Sequence, residues 1–314
     1  MNFEVTTLSS FIQKNNFNYS FEPFLFNTPK HLSLQDCKDC YVFWGEKNHK
    51  VYILFNLFIK DGQGLSPYRM AFGGIEGSEN VCYEDILNFI EFIFVFCKQN
   101  QLKHLKITSY PFSYNPQISH IITQILLLKG FEISKSEITH FLNINQISFQ
   151  EKLHISEKRK LKKSLQAGFI FEKLENFDIN DIYNFIANCR KRRGYPISMS
   201  LEAFTNTIIQ FKSEYSVFVV KDKEQVIALT VAIAINKSIL YNFYPADHPD
   251  YVAYSPTVML TNGLYQFCQE NNFLLLDLGI STENNLPNLG LIRFKENLGS
   301  QSCLKLSFHK DFKQ

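Results

Sequence analysis

The chain has 314 residues, of which 45% are hydrophobic and 20% charged, enough to bury the cores of two ordinary domains and too apolar for a disordered chain. A formal net charge of +2 argues against a protein that wraps DNA with its whole surface, and leaves only a local basic patch for RNA. The start, Met1 to Thr6, lacks the charged and apolar regions of a signal peptide, and the longest apolar runs, Ile86–Cys97 (broken by Glu91) and Val226–Ile235, fall short of a membrane span. A cytoplasmic protein with no membrane span is therefore expected.

In chain order, the first apolar pattern predicts strands over 41–45 and 51–60. Ahead of them, Cys37 and Cys40 form a Cys-x-x-Cys pair with His31 and His49 nearby, but the spacing fits no familiar zinc finger. A reduced pair is the better reading, and no metal is expected. Five of the seven cysteines (Cys82, Cys97, Cys189, Cys268 and Cys303) sit in apolar segments and read as reduced core residues. Ser66-Pro67-Tyr68 and the pair Gly73-Gly74 follow the strands; paired glycines allow a close backbone approach or simply turn the chain. A helix is predicted over 83–99, its second half apolar enough to be buried throughout. A strand over 105–109 leads to a helix over 117–129, with Ile118, Ile121, Ile122, Ile125 and Leu126 on one face and Gly130 as its stop. A strand over 138–144 closes the first half.

The second half opens on a basic helix with five positive charges from Lys158 to Lys163, a solvated face or a contact for RNA phosphates. Asp178 can cap a helix whose Ile179, Ile182, Tyr183 and Ile186 point inward, and Arg190-Lys-Arg-Arg193-Gly-Tyr195 follows at its end. A helix over 201–211 precedes strands over 216–221, 226–235 and 239–244. Ser255-Pro256 reads as N-cap and first residue of a helix to about Asn271. A strand over 273–278 ends in Asp277-Leu-Gly279, and a helix over 286–297 carrying Phe294-Lys295 precedes a last strand. Helix, strand, helix, strand thus recurs at an offset of roughly 170 residues, about one domain length. The fold class is α/β with mixed sheets, in two tandem domains, 1–150 and 151–314.

Asp277 ends a run of large apolar residues, where a carboxylate needs a partner or a task. It either orients and deprotonates an amine or caps the loop after it. Lys295 is either a cation aimed at the tip of that strand or a solvated residue on a short helix. In open α/β sheets, ligands bind outside the carboxyl ends of the strands.

These segments together resemble the Fem-type aminoacyl and acyl transferases, a two-domain branch of the Gcn5-related (GNAT) acyltransferase superfamily. The likeness rests on the basic helix Leu153–Gly168, on Ser255-Pro256-Thr257-Val258, on Asp277-Leu-Gly279 and on Phe294-Lys295. One departure stands out: the Gcn5-type pyrophosphate loop, Arg/Gln-x-x-Gly-x-Gly, has no counterpart before Pro256. The resemblance implies acyl or aminoacyl transfer to a primary amine of a cell-wall precursor or amino sugar, small or lipid-linked. The donor would be an acyl-CoA or an aminoacyl-tRNA. Donor contacts would come from Ser255, Pro256, Thr257, Val258 and Phe294. Acceptor contacts would come from Ser66, Tyr68, Gly73, Gly74, Arg193 and Tyr195. Lys295 would stabilise the oxyanion, with Asp277 beside it, in a monomer or weak dimer. Two alternatives stay open: an acyl-CoA-dependent N-acetyltransferase acting on a sugar nucleotide, and a non-catalytic tandem module that only binds.

Overall fold

A computed structural model describes residues 1–14, 17–192, 194, 197–283 and 285–312. The chain forms two compact units, Met1–Ile138 with Asn284–Leu286 and Cys303–Gln314, and Thr139–Glu283 with Pro287–Ser302.

In the first unit, β1 (Asn2–Thr7) pairs antiparallel with β2 (Cys40–Lys47), and β2 with β3 (Lys50–Lys60). The turn between β2 and β3 puts Asn48 and His49 at positive φ, as a tight hairpin requires. β4 (Gln63–Ser66) returns beside β3 and lies parallel to β5 (His104–Thr108). Parallel neighbours need a crossover, supplied by helix α1 (Tyr83–Gln99). Helix α2 (Pro116–Leu128) follows β5, with the Asn115 side chain capping its first turn and Gly130 at φ +77 ending it. β6 (Glu132–Asn143) starts six residues before the predicted 138. The core gathers Ile86, Phe89, Ile90 and Ile93 of α1, Ile118, Ile122 and Ile125 of α2, and Phe43, Phe55 and Leu57 of the sheet. The second half of α1 is not buried throughout: Val95 is 52% exposed, because a helix on one sheet face buries a stripe and not its circumference.

In the second unit, helix α3 (Ile155–Gln166) carries the basic run and buries Leu161 and Ser164. Strand β7 (Ile170–Leu174) pairs with β8 (Tyr215–Asp222), and β8 with β9 (Gln225–Asn236), after helices α4 (Ile179–Arg192) and α5 (Leu201–Gln210). β10 (Ile239–Asn242) runs parallel to β11 (Leu275–Ile280), joined through helix α6 (Pro256–Glu270). The sheet is completed by the last residues of β6, antiparallel to β11. Helix α7 (Leu289–Asn297) then leads to β12 (Gln301–Asp311), which pairs antiparallel with β5 of the first unit through Ser307–Asp311. Each unit thus contains a parallel strand pair with a helical crossover, and takes one strand segment from the opposite half of the sequence.

Two helix starts also differ from their expected form. α7 begins at Leu289, not 286, with the Asn288 side chain accepting from the Leu291 N–H at 3.0 Å. Ser255 is not a side-chain cap: it sits at φ 51, ψ 60 and makes no capping hydrogen bond, although Pro256 does open the helix. A serine in the left-handed region aims its hydroxyl away from the N–H groups a cap must reach. Among the described residues, no helix is long and apolar enough to cross a membrane.

Candidate active site

The parallel register of β10 and β11 runs Ile239 with Leu275, Leu240 with Leu276 and Tyr241 with Asp277. Asp277 therefore stands at the last paired position, close to the carboxyl end of β10, the side of an open α/β sheet on which ligands bind. On its other side β11 pairs Asp277 with Phe141, then Ile280 with Thr139. Between these pairs two residues of β11, Leu278 and Gly279, stand against one of β6, His140, which is a bulge. Gly279 takes φ +76, which a residue with Cβ adopts only under strain.

The bulge is held by polar side chains. Asp277 is 2% exposed; its Oδ1 accepts from the Gly279 N–H at 2.6 Å and from the Thr139 hydroxyl at 3.2 Å. Lys295 comes from the last turn of α7, where one helical face meets the bulge. It is 6% exposed, and its Nζ donates to the carbonyl oxygens of Gly279 and Ile280, each at 2.8 Å. An ammonium has three donors, so one N–H is left beyond these two. Burial pushes the lysine down to about 7, against the opposing pull of Asp277.

His140 and Ser281 complete the cluster. His140 is fully buried, and its Nδ1 lies 2.8 Å from Ser281 Oγ. Burial, helped by the charge on Lys295, pushes it down to about 4, so the imidazole is neutral at pH 7. Its Nε2 has no hydrogen-bond partner among the described residues. Sequence reasoning missed Thr139, His140 and Ser281. The available signal was a Thr-His pair inside an apolar strand, where polar groups must find partners.

The remaining expected residues scatter. Ser255 is half-buried, Pro256 and Val258 are in the core, and the Thr257 carbonyl accepts from Thr261 at 2.8 Å. Phe294 packs half-buried against the core of the second unit. In the first unit, Ser66, Gly73 and Gly74 do come together, as a packed turn. Ser66 Oγ accepts from the Gly74 N–H at 3.0 Å, Gly73 bridges to Ser109, and a Cβ on Gly73 would lie 2.9 Å from Pro67 N. Tyr68 is bonded by Lys60 and has the Arg69 guanidinium over its ring at 4.9 Å. Arg193 and Tyr195 lie outside the described residues; nearby, Arg190 sits 5.5 Å over the Tyr244 ring. None of the seven cysteines is in a disulfide; burial, with Cys37 adding to it, pushes the Cys40 thiol up to about 12.

No family model matches the chain, and no curated protein does. Solved structures match along its whole length. A FemX crystal structure superposes with a TM-score of 0.69 at 13% identity, covering 99% of this chain and 98% of that one. L-PGS from Bacillus licheniformis gives 0.59 at 11% identity, covering 98% and 92%. A tandem GNAT protein from the clavulanic acid biosynthesis pathway gives 0.55 at 10%, covering 99% and 98%. The chain has the Fem-type tandem GNAT fold, as the sequence resemblance implied.

Proposed function

We propose that the second unit carries an acyl- or aminoacyl-transfer site at the end of β11. The observation behind this reading is the buried Lys295, held by two carbonyl oxygens at the tip of a parallel strand pair and keeping one N–H in reserve. A primary amine attacks the carbonyl carbon of a thioester or ester. The C–N bond forms, charge builds on the carbonyl oxygen, and the C–S or C–O bond then breaks. The leaving group departs with the proton shed by the nitrogen. A donor preorganised in a dry site is worth most to such an oxyanion, and Lys295 is placed to supply it. Asp277 orients the amine, and holding the two reactants together supplies much of the remaining acceleration.

The donor is an acyl-CoA or an aminoacyl-tRNA, held beside Ser255–Val258 and Phe294. The acceptor is the amine of a cell-wall precursor or amino sugar. A second reading has one observation in its favour: the two carbonyl bonds of Lys295 pin the bulge whether or not chemistry occurs, as in a binding module.

The deciding experiment incubates the protein with acyl-CoAs, charged tRNA and amine acceptors, and follows products by mass spectrometry beside Lys295→Ala. Product from one donor class, lost in the variant, supports transfer. Ligand binding that survives in Lys295→Ala, with no product from either protein, favours the module.

A further inference from the structure

A polar cluster lies on the first unit, on the ladder between β5 and β12. β12 pairs with β5 so that Asp311 faces His104 and His309 faces Lys106. Residues two apart on a strand share a face, and so do directly opposed residues. His104, His309 and Asp311 therefore project from one side of a two-strand ladder. The other side carries Leu105, Ile107 and Phe308, which are core.

Both imidazoles converge on the same carboxylate oxygen. His104 Nδ1 lies 2.5 Å and His309 Nε2 2.6 Å from Asp311 Oδ1, and the two rings stack with centroids 5.5 Å apart. One atom from each of the three side chains falls within 4.8 Å of the other two. Nitrogen and oxygen ligands about 2.0–2.2 Å from a zinc ion stand roughly 3.3–3.5 Å apart, so small side-chain rotations open this arrangement around an ion. The side chains are 42%, 37% and 66% exposed, which leaves room for water at the remaining positions.

We propose that His104, His309 and Asp311 form a binding site for a divalent transition-metal ion of the zinc, nickel or copper class, clasping the last strand of the chain to β5. Two imidazoles with one carboxylate suit these borderline ions and not magnesium or calcium, which take oxygen ligands. The clasp joins residues 207 positions apart in sequence, from His104 to Asp311. Lys106, opposite His309, is a neighbouring cation on the same face and works against affinity. Ligation through the nitrogens that now face Asp311 leaves each neutral imidazole with its proton on the other ring nitrogen.

The test uses the full-length, chelator-stripped protein titrated with zinc, nickel, cobalt and magnesium, read by calorimetry and thermal shift. One zinc ion per chain should bind and raise the melting temperature, and magnesium should do neither. His104→Gln and His309→Gln should each weaken zinc binding by at least about tenfold, while leaving the metal-free melting temperature unchanged. Cobalt should give no thiolate charge-transfer band, which separates this site from the seven cysteines. Absence of zinc binding, unchanged affinity in both variants, or a thiolate band that accounts for all the bound cobalt overturns the proposal.

Discussion

The two units place different chemistry at the same point of their topology. Each has a parallel strand pair joined by a helical crossover, and in each a polar residue ends the pair: Ser66 opposite Ile107 in the first, Asp277 opposite Tyr241 in the second. In the first unit the position is closed by the chain itself, since Ser66 is spent on Gly74 and the glycine turn packs on Pro67 and Ser109. In the second unit the position carries buried charges of opposite sign and a cation with a donor to spare. A shared frame therefore says where a ligand can bind, and the local side chains say whether anything is left to meet it.

The largest test of this contrast is Lys295→Ala. If the second unit performs transfer, removing the only proposed oxyanion donor should lower kcat by about 10²–10³-fold. Steady-state rates would show this, and a loss under tenfold would deny the lysine that role. The pH profile sharpens the point. With the lysine pushed down to about 7, kcat/KM should fall as pH rises through that value, because the charged form does the work. Lys295→Arg keeps its charge across the range, so any residual activity should lose that limb.

Stability should respond to pH in opposite directions in the two units. Glu76 of the first unit is 1% exposed and accepts from the Phe24 N–H at 2.9 Å; burial pushes it from 4.5 up to about 8 despite that bond. Between those values the native state holds a proton that the unfolded chain has lost, so its contribution is complete below 4.5 and disappears as pH rises towards 8. Lys295 does the reverse. Between about 7 and 10.5 the unfolded chain holds the extra proton, and stability rises with pH. Each effect is on the order of 2–5 kcal/mol. Urea midpoints across pH 4–10 should show the fall removed in Glu76→Gln and the rise removed in Lys295→Met. Matching slopes in variant and parent would break the assignment. In the same unit as Glu76, Gly73→Ala should lower stability by about 1–3 kcal/mol, since backbone and not a flexible tip stands 2.9 Å from the new methyl. An unchanged midpoint would mean the turn is looser than its contacts imply.

The elements with a clear period were legible in the sequence. The helix expected over 83–99 occupies Tyr83–Gln99, because its apolar stripe and flanking breakers agree. β1 and β7 were missed: each is short, lies at a sheet edge and buries few of its side chains, so its alternation is weak. Asp277 and Lys295 stood out because a charge beside an apolar strand is rare. His140 did not, since its partner Ser281 lies 141 residues away and no local spacing joins them. The strand segments each unit takes from the other half of the chain were also hidden, because an internal repeat of pattern is silent on which copy a terminal strand completes.

The smallest effect separates two helix starts that look alike on paper. Asn115-Pro116 opens α2 in the first unit and Ser255-Pro256 opens α6 in the second, and each pair sets a polar residue before a proline at the first helical position. Only Asn115 caps: its Oδ1 accepts from the Ile118 N–H at 3.4 Å, while Ser255 is left-handed with no side-chain bond to the helix. Asn115→Ala should therefore cost about 1 kcal/mol, and Ser255→Ala only a few tenths of that, since no bond is lost. Ser255→Gly should stabilise by up to about 1 kcal/mol, because glycine enters the left-handed region without the Cβ penalty. Thermal and urea midpoints of the three variants would check the order. If Ser255→Ala cost as much as Asn115→Ala, the serine would be capping in solution, and the two helix starts would be equivalent after all.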